Sequence, residues 1–284
     1  MIVITGASGN IGRHLVTALR AGGAAMRACY RSEPDLRRAE ASGVEARLID
    51  FDRPGTLQAA FGGAATLFLL APNGGRQLGQ ELNMLAAARR AGIRSIVKLS
   101  AWRAPEREFS FARTHREIEC AIEGSGLAWT FLRPCGFMQN FSTTMGQAIR
   151  EWSAIRLPAG DAKVAHIDVR DVAEVAARVL TTPGHAGQAY ALSGPKAVSY
   201  GEAARILSQA LGRAVAYVNL SEQQAKAEML AAGLSPSYAA GVLDLFRAYR
   251  DGGGSEVTAG VERVLGRPPI TFERFVQDHQ GDFQ

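Results

Sequence analysis

Gly6-Ala7-Ser8-Gly9-Asn10-Ile11-Gly12 follows the apolar run Met1–Thr5 and opens a helical pattern over Asn10–Gly22. So abrupt a passage from strand to helix needs a first glycine for the turn. A second lets a ligand approach the main chain, and a third lets helix and strand pack closely. The helix N-terminus behind the turn offers free N–H groups and a positive dipole to a pyrophosphate. The spacing therefore predicts a dinucleotide-binding loop made of Gly6, Ser8, Gly9, Asn10, Ile11 and Gly12.

Glycine triplets occur in many turns, so the surroundings carry the weight. Strand patterns recur at Ala25–Tyr30, Val44–Ile49, Thr66–Leu70, Ser95–Leu99 and Trp129–Leu132. Helical patterns alternate with them at Glu33–Ser42, Thr56–Phe61, Gly79–Gly92 and Phe111–Gly124. The strands are short and apolar, as strands covered on both faces are. Such alternation predicts an α/β fold with a parallel, doubly wound sheet. Beyond residue 155 the pattern loosens. Short strands are expected at Gln188–Leu192 and Val215–Val218, and helices at Tyr200–Leu211, Ser221–Ala231 and Ser235–Tyr249. Asp251-Gly-Gly-Gly-Ser255 reads as a flexible joint. The expected organisation is a dinucleotide-binding domain over 1–155 and a smaller, interleaved α/β cap over 156–284 that binds substrate.

The net charge of the 284 residues is +5, and 28 of the 32 basic residues are arginine. Residues 1–150 hold 19 basic and 12 acidic groups, so the surplus sits in the half that carries the glycine loop. No block of five like charges exists, and an anionic small ligand or a general compositional use of arginine is a better account of the surplus than nucleic acid. No apolar run approaches the roughly 18–20 residues of a membrane helix. A strand beginning at Met1 leaves no room for a signal peptide. Cys29, Cys120 and Cys135 are too scattered for a disulfide framework or a metal site, so a reducing cytoplasm is expected.

About twenty residues past the glycines, an acidic side chain at the end of the second strand would take the ribose hydroxyl of NAD. Cys29-Tyr30-Arg31-Ser32 stands there instead. A guanidinium fork fits a phosphate and stacks on a purine, so Arg31 favours NADP(H). Asp50 and Phe51 follow the third strand, placed to reach the adenine as polar and stacking contacts, with a place in the N-cap region of the next helix as the alternative for Asp50.

With these residues the chain resembles the NmrA-like atypical short-chain dehydrogenase/reductases, in particular the triphenylmethane reductase and type-2 quinone oxidoreductase branch. The resemblance runs through the glycine motif, Arg31, Asp50-Phe51, Leu70-Ala71-Pro72, Ser100, Leu132-Arg133-Pro134, Phe137, Asn140-Phe141 and His166–Ala173. It implies that the loops at 71–73, 100–102 and 133–137, with Ala71, Pro72, Pro134 and Phe137, line the nicotinamide and substrate pocket. Trp102, Phe137, Met138 and Phe141 are candidates for an aromatic-lined substrate site, with plain core packing as the alternative. The Tyr-x-x-x-Lys of typical short-chain dehydrogenases is missing, since residues 103–125 contain neither Tyr nor Lys. His115 and Glu119 share one helix face at i, i+4. They suggest a histidine that donates a proton or a hydrogen bond, oriented by the glutamate; His115 contacting only the cofactor is the other reading. Ser100, at a strand end, is a candidate to hydrogen-bond a substrate oxygen or the nicotinamide ribose.

The expected function is an NADPH-dependent reductase that transfers hydride to a small aromatic, quinone-like or enone acceptor. A non-catalytic NADP(H) sensor acting through a protein partner remains open, as does a ketoreductase or epimerase on the same fold. A homodimer or a protein partner is also left open. No metal, nucleic acid or membrane is expected.

Overall fold

The computed structural model describes residues 1–284. The first half alternates as its glycine punctuation demands: β1 (Ile2–Ile4), α1 (Asn10–Ala21), β2 (Met26–Tyr30), α2 (Glu33–Ala41), β3 (Glu45–Leu48), α3 (Pro54–Phe61), β4 (Thr66–Leu69), α4 (Gln77–Arg90), β5 (Ser95–Leu99), α5 (Ser110–Glu123) and β6 (Ala128–Pro134). The second half contains α6 (Gly146–Trp152), β7 (Ala154–Leu157), β8 (Lys163–Val164), α7 (Val169–Thr181), β9 (Gln188–Leu192), β10 (Val198–Ser199), α8 (Tyr200–Leu211) and β11 (Ala216–Asn219). It ends with α9 (Glu222–Ala231), α10 (Pro236–Arg250), α11 (Gly260–Leu265) and α12 (Phe272–Asp278).

Seven strands form one sheet in the order β3-β2-β1-β4-β5-β6-β9, every pair parallel. Alternate side chains of β1 serve opposite faces, as a two-residue period requires. Ile2 and Ile4 pack with Leu15 and Leu19 of α1 and Val172 of α7. Val3 packs with Leu57 of α3, Met84 of α4 and Ile118 of α5. The winding reverses between β1 and β4, which opens a crevice at the carboxyl ends of those two strands. The glycine loop and the loop after β4 meet there. Thr5 ties them together, its hydroxyl donating to the Phe68 carbonyl (3.0 Å) and accepting from the Leu70 N–H (2.9 Å).

Elements from beyond residue 155 also belong to this sheet. β9 pairs with β6, and α7 lies on α1. A separate apolar core gathers Phe141, Ile155, Tyr200, Leu207, Phe246, Phe275 and Phe283. The short pairs β7–β11 and β8–β10 stand beside it.

Asp251–Ser255 is not a flexible joint. The Gly253 carbonyl accepts from the Trp102 indole at 2.6 Å, and the Gly254 carbonyl from the Ala165 N–H at 2.9 Å. A Cβ on Gly254 would lie 2.8 Å from the Tyr249 ring, and one on Gly253 would lie 2.9 Å from the Ala248 carbonyl oxygen. These glycines allow close packing. Gly254→Ala is expected to cost about 1–3 kcal/mol of stability by overpacking, measured by urea denaturation; an unchanged midpoint would show that the strap yields freely.

Candidate active site

The glycine loop fits a pyrophosphate on steric and electrostatic grounds. Gly6 has φ +67°, the left-handed region. A Cβ on Gly12 would lie 2.1 Å from the Gly6 carbonyl oxygen, so any side chain there would push α1 off the turn. The N-cap residue, Gly9, has no side chain to cap the helix, and no acidic residue lies in the first turn. The first N–H groups of α1 are therefore uncommitted and electropositive. Ser8, Gly9 and Asn10 are exposed, whereas the Ile11 side chain is buried in the core, so Ile11 has only its main chain to offer. Beside α1 a polar cavity of about 320 Å³ is lined by Asn10, Arg13, Gln139, Ser142, Thr143 and Arg150, among others.

Arg31 directly follows β2, exposed and without an ion pair, its guanidinium 5.5 Å from the centroid of the Phe51 ring. Phe51 itself is 2% exposed and belongs to the core under α3. It is therefore no free stacking platform: Arg31 caps it, and a purine would meet the guanidinium first. Asp50 is half-buried and holds its own turn, accepting from the Asp52 N–H at 2.9 Å and pairing with Arg53 at 3.4 Å.

The pairing of His115 with Glu119 does not form. Glu119 is fully buried and accepts from Ser100 (2.6 Å), twice from Arg133 (2.9 and 2.8 Å) and from Arg116 (3.0 Å). Burial pushes its carboxyl pKa up, but the hydrogen bonds from Arg133, Ser100 and Arg116 together with the Arg133 charge outweigh burial, so the group ends below its ordinary value. Ser100 consequently spends its proton on Glu119. Its oxygen retains only lone pairs, so it accepts from a ligand N–H or O–H and does not donate to a substrate oxygen. His115 sits 4% exposed beside Gln77, with Nε2 at 3.1 Å from the amide nitrogen. Burial, then the Lys98 charge, holds its pKa well below the ordinary value. A neutral imidazole carries one N–H and offers a hydrogen bond, the second of the two roles expected from sequence.

Three of the four aromatic-pocket candidates are core. Phe141 is completely buried among His166, Tyr200 and Phe272; Met138 is 1% exposed, and Trp102 is pinned to the Gly253 carbonyl. Only Phe137 is half-buried, packed against the main core. Ala71 and Pro134 are buried and Pro72 exposed at the crevice end of the sheet. Cys135 is buried, its thiol pushed up to about 12 by burial, and serves as a spacer. Gln77, Glu81 and Lys98 escaped the sequence reading. A lysine inside an otherwise apolar strand, Ser95-Ile96-Val97-Lys98-Leu99, was the signal that could have found them. Gln139 was missed as well: it holds Asp168 (2.9 Å) and the Val169 N–H (2.9 Å), fixing the start of α7 beside the cavity.

The chain is similar over its whole length to known reductases. The chain is 36% identical to the NAD(P)H azoreductase of Xenophilus azovorans over 284 residues, covering 100% of this chain and 99% of that protein. An NADPH-dependent quinone oxidoreductase of Escherichia coli, solved with NADPH, superposes with a TM-score of 0.90 at 28% identity, over 99% of this chain and 100% of the other. The Citrobacter sp. triphenylmethane reductase complexed with NADP(H) gives 0.88 at 27% identity, over 98% and 99%. The family profile matches residues 1–265, and the chain belongs to the NmrA-like family.

Proposed function

We propose that this chain is an NADPH-dependent reductase that passes hydride to a small planar aromatic acceptor such as a quinone, an azo compound or a triarylmethane dye. The observation that carries the reading is an uncapped glycine loop together with an exposed arginine at the end of β2 that has no ion-pair partner and rests only on the Phe51 ring. Three similar proteins named as reductases or oxidoreductases of such acceptors support it. NADPH supplies the hydride when bound. The N–H groups of α1 hold the pyrophosphate, and Arg31 takes the 2′-phosphate by its planar fork. Ser100 accepts a hydrogen bond at the end of β5, and Phe137 is the aromatic left to face a flat acceptor. Such acceptors need little proton assistance, which suits a site without the tyrosine–lysine pair. We place residues 1–155, with α7 and β9, in the cofactor-holding unit and the chain in a reducing compartment, given its three free cysteines.

Loss of NADPH absorbance with a panel of quinones, azo dyes and triarylmethane dyes tests the proposal, and silence across all three classes would sink it. Arg31→Ala is expected to weaken NADPH binding by about 1–3 kcal/mol, roughly 5- to 150-fold, with little effect on NADH. Equal losses for the two cofactors would show that Arg31 does not read the phosphate.

A further inference from the structure

The two ring nitrogens of His115 meet different fates. Nε2 lies 3.1 Å from the Gln77 amide nitrogen, which has only protons to offer, so Nε2 accepts. Nδ1 is buried with no partner, and so is the Gln77 carbonyl oxygen. Turning the amide over would reverse this assignment, so whatever orients Gln77 decides the histidine tautomer. Glu81, one turn along α4, accepts from the same Gln77 nitrogen at 3.1 Å. Glu81 in turn lies 2.6 Å from Lys98, both side chains fully buried. That contact is electrostatic, because Oε2 receives no aligned hydrogen bond and Lys98 donates to the Leu99 carbonyl at 2.7 Å. With the ammonium beside it Glu81 is an acceptor, and a flipped Gln77 would set carbonyl against carboxylate. The proton order is thereby fixed from Lys98 outward.

We propose that Lys98, Glu81 and Gln77 are positioning residues that lock His115 as the neutral Nδ1–H tautomer, and that this Nδ1–H donates to a lone pair brought by the bound ligands. The lone pair belongs to the reducible acceptor or to the nicotinamide carboxamide. The inference rests on the reductase reading. Gln77 of α4 contacts the ring, with Glu81 of α4 and Lys98 of β5 behind it, while Glu119 of α5 is committed to Ser100 and two arginines. His115 keeps its proton throughout, and the second hydrogen of the reduced acceptor comes from solvent. On the acceptor, its contribution is a fixed dipole aimed at the negative charge that develops as hydride arrives; on the carboxamide, it holds the nicotinamide ring in orientation. Nδ1 is closed to solvent, so ligand entry has to open its cover.

Nitrogen-15 spectra of histidine-labelled protein, with His115→Gln to assign the signal, test this directly. The expected wild-type state between pH 6 and 8 is a protonated Nδ1 and a bare Nε2. Gln77→Leu, or Gln77→Met should the first fail to fold, is expected to release the ring toward Nε2–H and lower kcat about 10- to 100-fold. A shift of the Nδ1 signal on adding NADP⁺ assigns the carboxamide as partner. A shift only after a non-reducible quinone analogue is added assigns the acceptor. Imidazolium or Nε2–H in the wild type overturns the proposal, as does an Nδ1 signal deaf to both ligands or a tautomer change without loss of turnover. If no acceptor is reduced while the tautomer and the NADP⁺ shift hold, the reductase reading fails and the relay stands.

Discussion

Gly12→Ala is expected to weaken NADPH binding at least 100-fold, equivalent to about 2.7 kcal/mol or more, and to destabilise the free chain by about 1–3 kcal/mol. The added methyl would lie 2.1 Å from the Gly6 carbonyl oxygen and 2.7 Å from the Ala7 Cα. Both obstacles are main chain, so no rotamer relieves them. The Gly6 carbonyl also accepts from the Gly9 N–H at 3.0 Å, and that bond closes the turn. Moving the carbonyl away opens the turn and withdraws the N–H groups of α1 from their position. Gly9→Ala is the control, because its Cβ meets only the Gly6 carbonyl oxygen, at 3.3 Å. Its loss should be several-fold smaller. Fluorescence titration with NADPH separates the two, and thermal shift in the presence of cofactor reports the same binding by mass action. Wild-type affinity in Gly12→Ala would mean the loop is not the cofactor cradle.

The sheet and its helices were readable because each strand–helix junction carries a local signal, and the glycine loop was readable because its steric demand lies within seven residues. The site wall was less so. His115 and Glu119 do share a helix face, but spacing says nothing about competitors from other strands. Arg133 of β6 and Ser100 at the end of β5 take the carboxylate, and Gln77 takes the histidine. Phe141 and Met138 looked like pocket residues because aromatic and sulfur side chains serve both purposes. Only the packing of α8 and α12 around them decides the matter. α6 and β7 passed unnoticed because β7 pairs with β11, some 60 residues away, where no periodicity reaches. The Asp251–Ser255 glycines misled for a related reason: permissive backbone and close approach look identical in sequence.

Lys98→Met is expected to cost about 3–5 kcal/mol, a large share of the roughly 5–15 kcal/mol that holds a typical domain together. Lys98 lies on β5 between two parallel neighbours, where strands are ordinarily apolar throughout, and neither it nor Glu81 has measurable exposure. Removing the ammonium leaves a carboxylate with no solvent and no counter-charge. The double variant Lys98→Met/Glu81→Leu removes both charges and fills their space with apolar atoms, so most of the lost stability should return. Denaturant titration of the four members of this cycle gives the coupling between the two residues. Turnover should not return with stability, since Gln77 then has nothing to orient it and His115 is free to exchange tautomers. A double variant that is stable but slow separates what the pair does for the fold from what it does for the site. One that recovers both would reduce the buried pair to a structural plug.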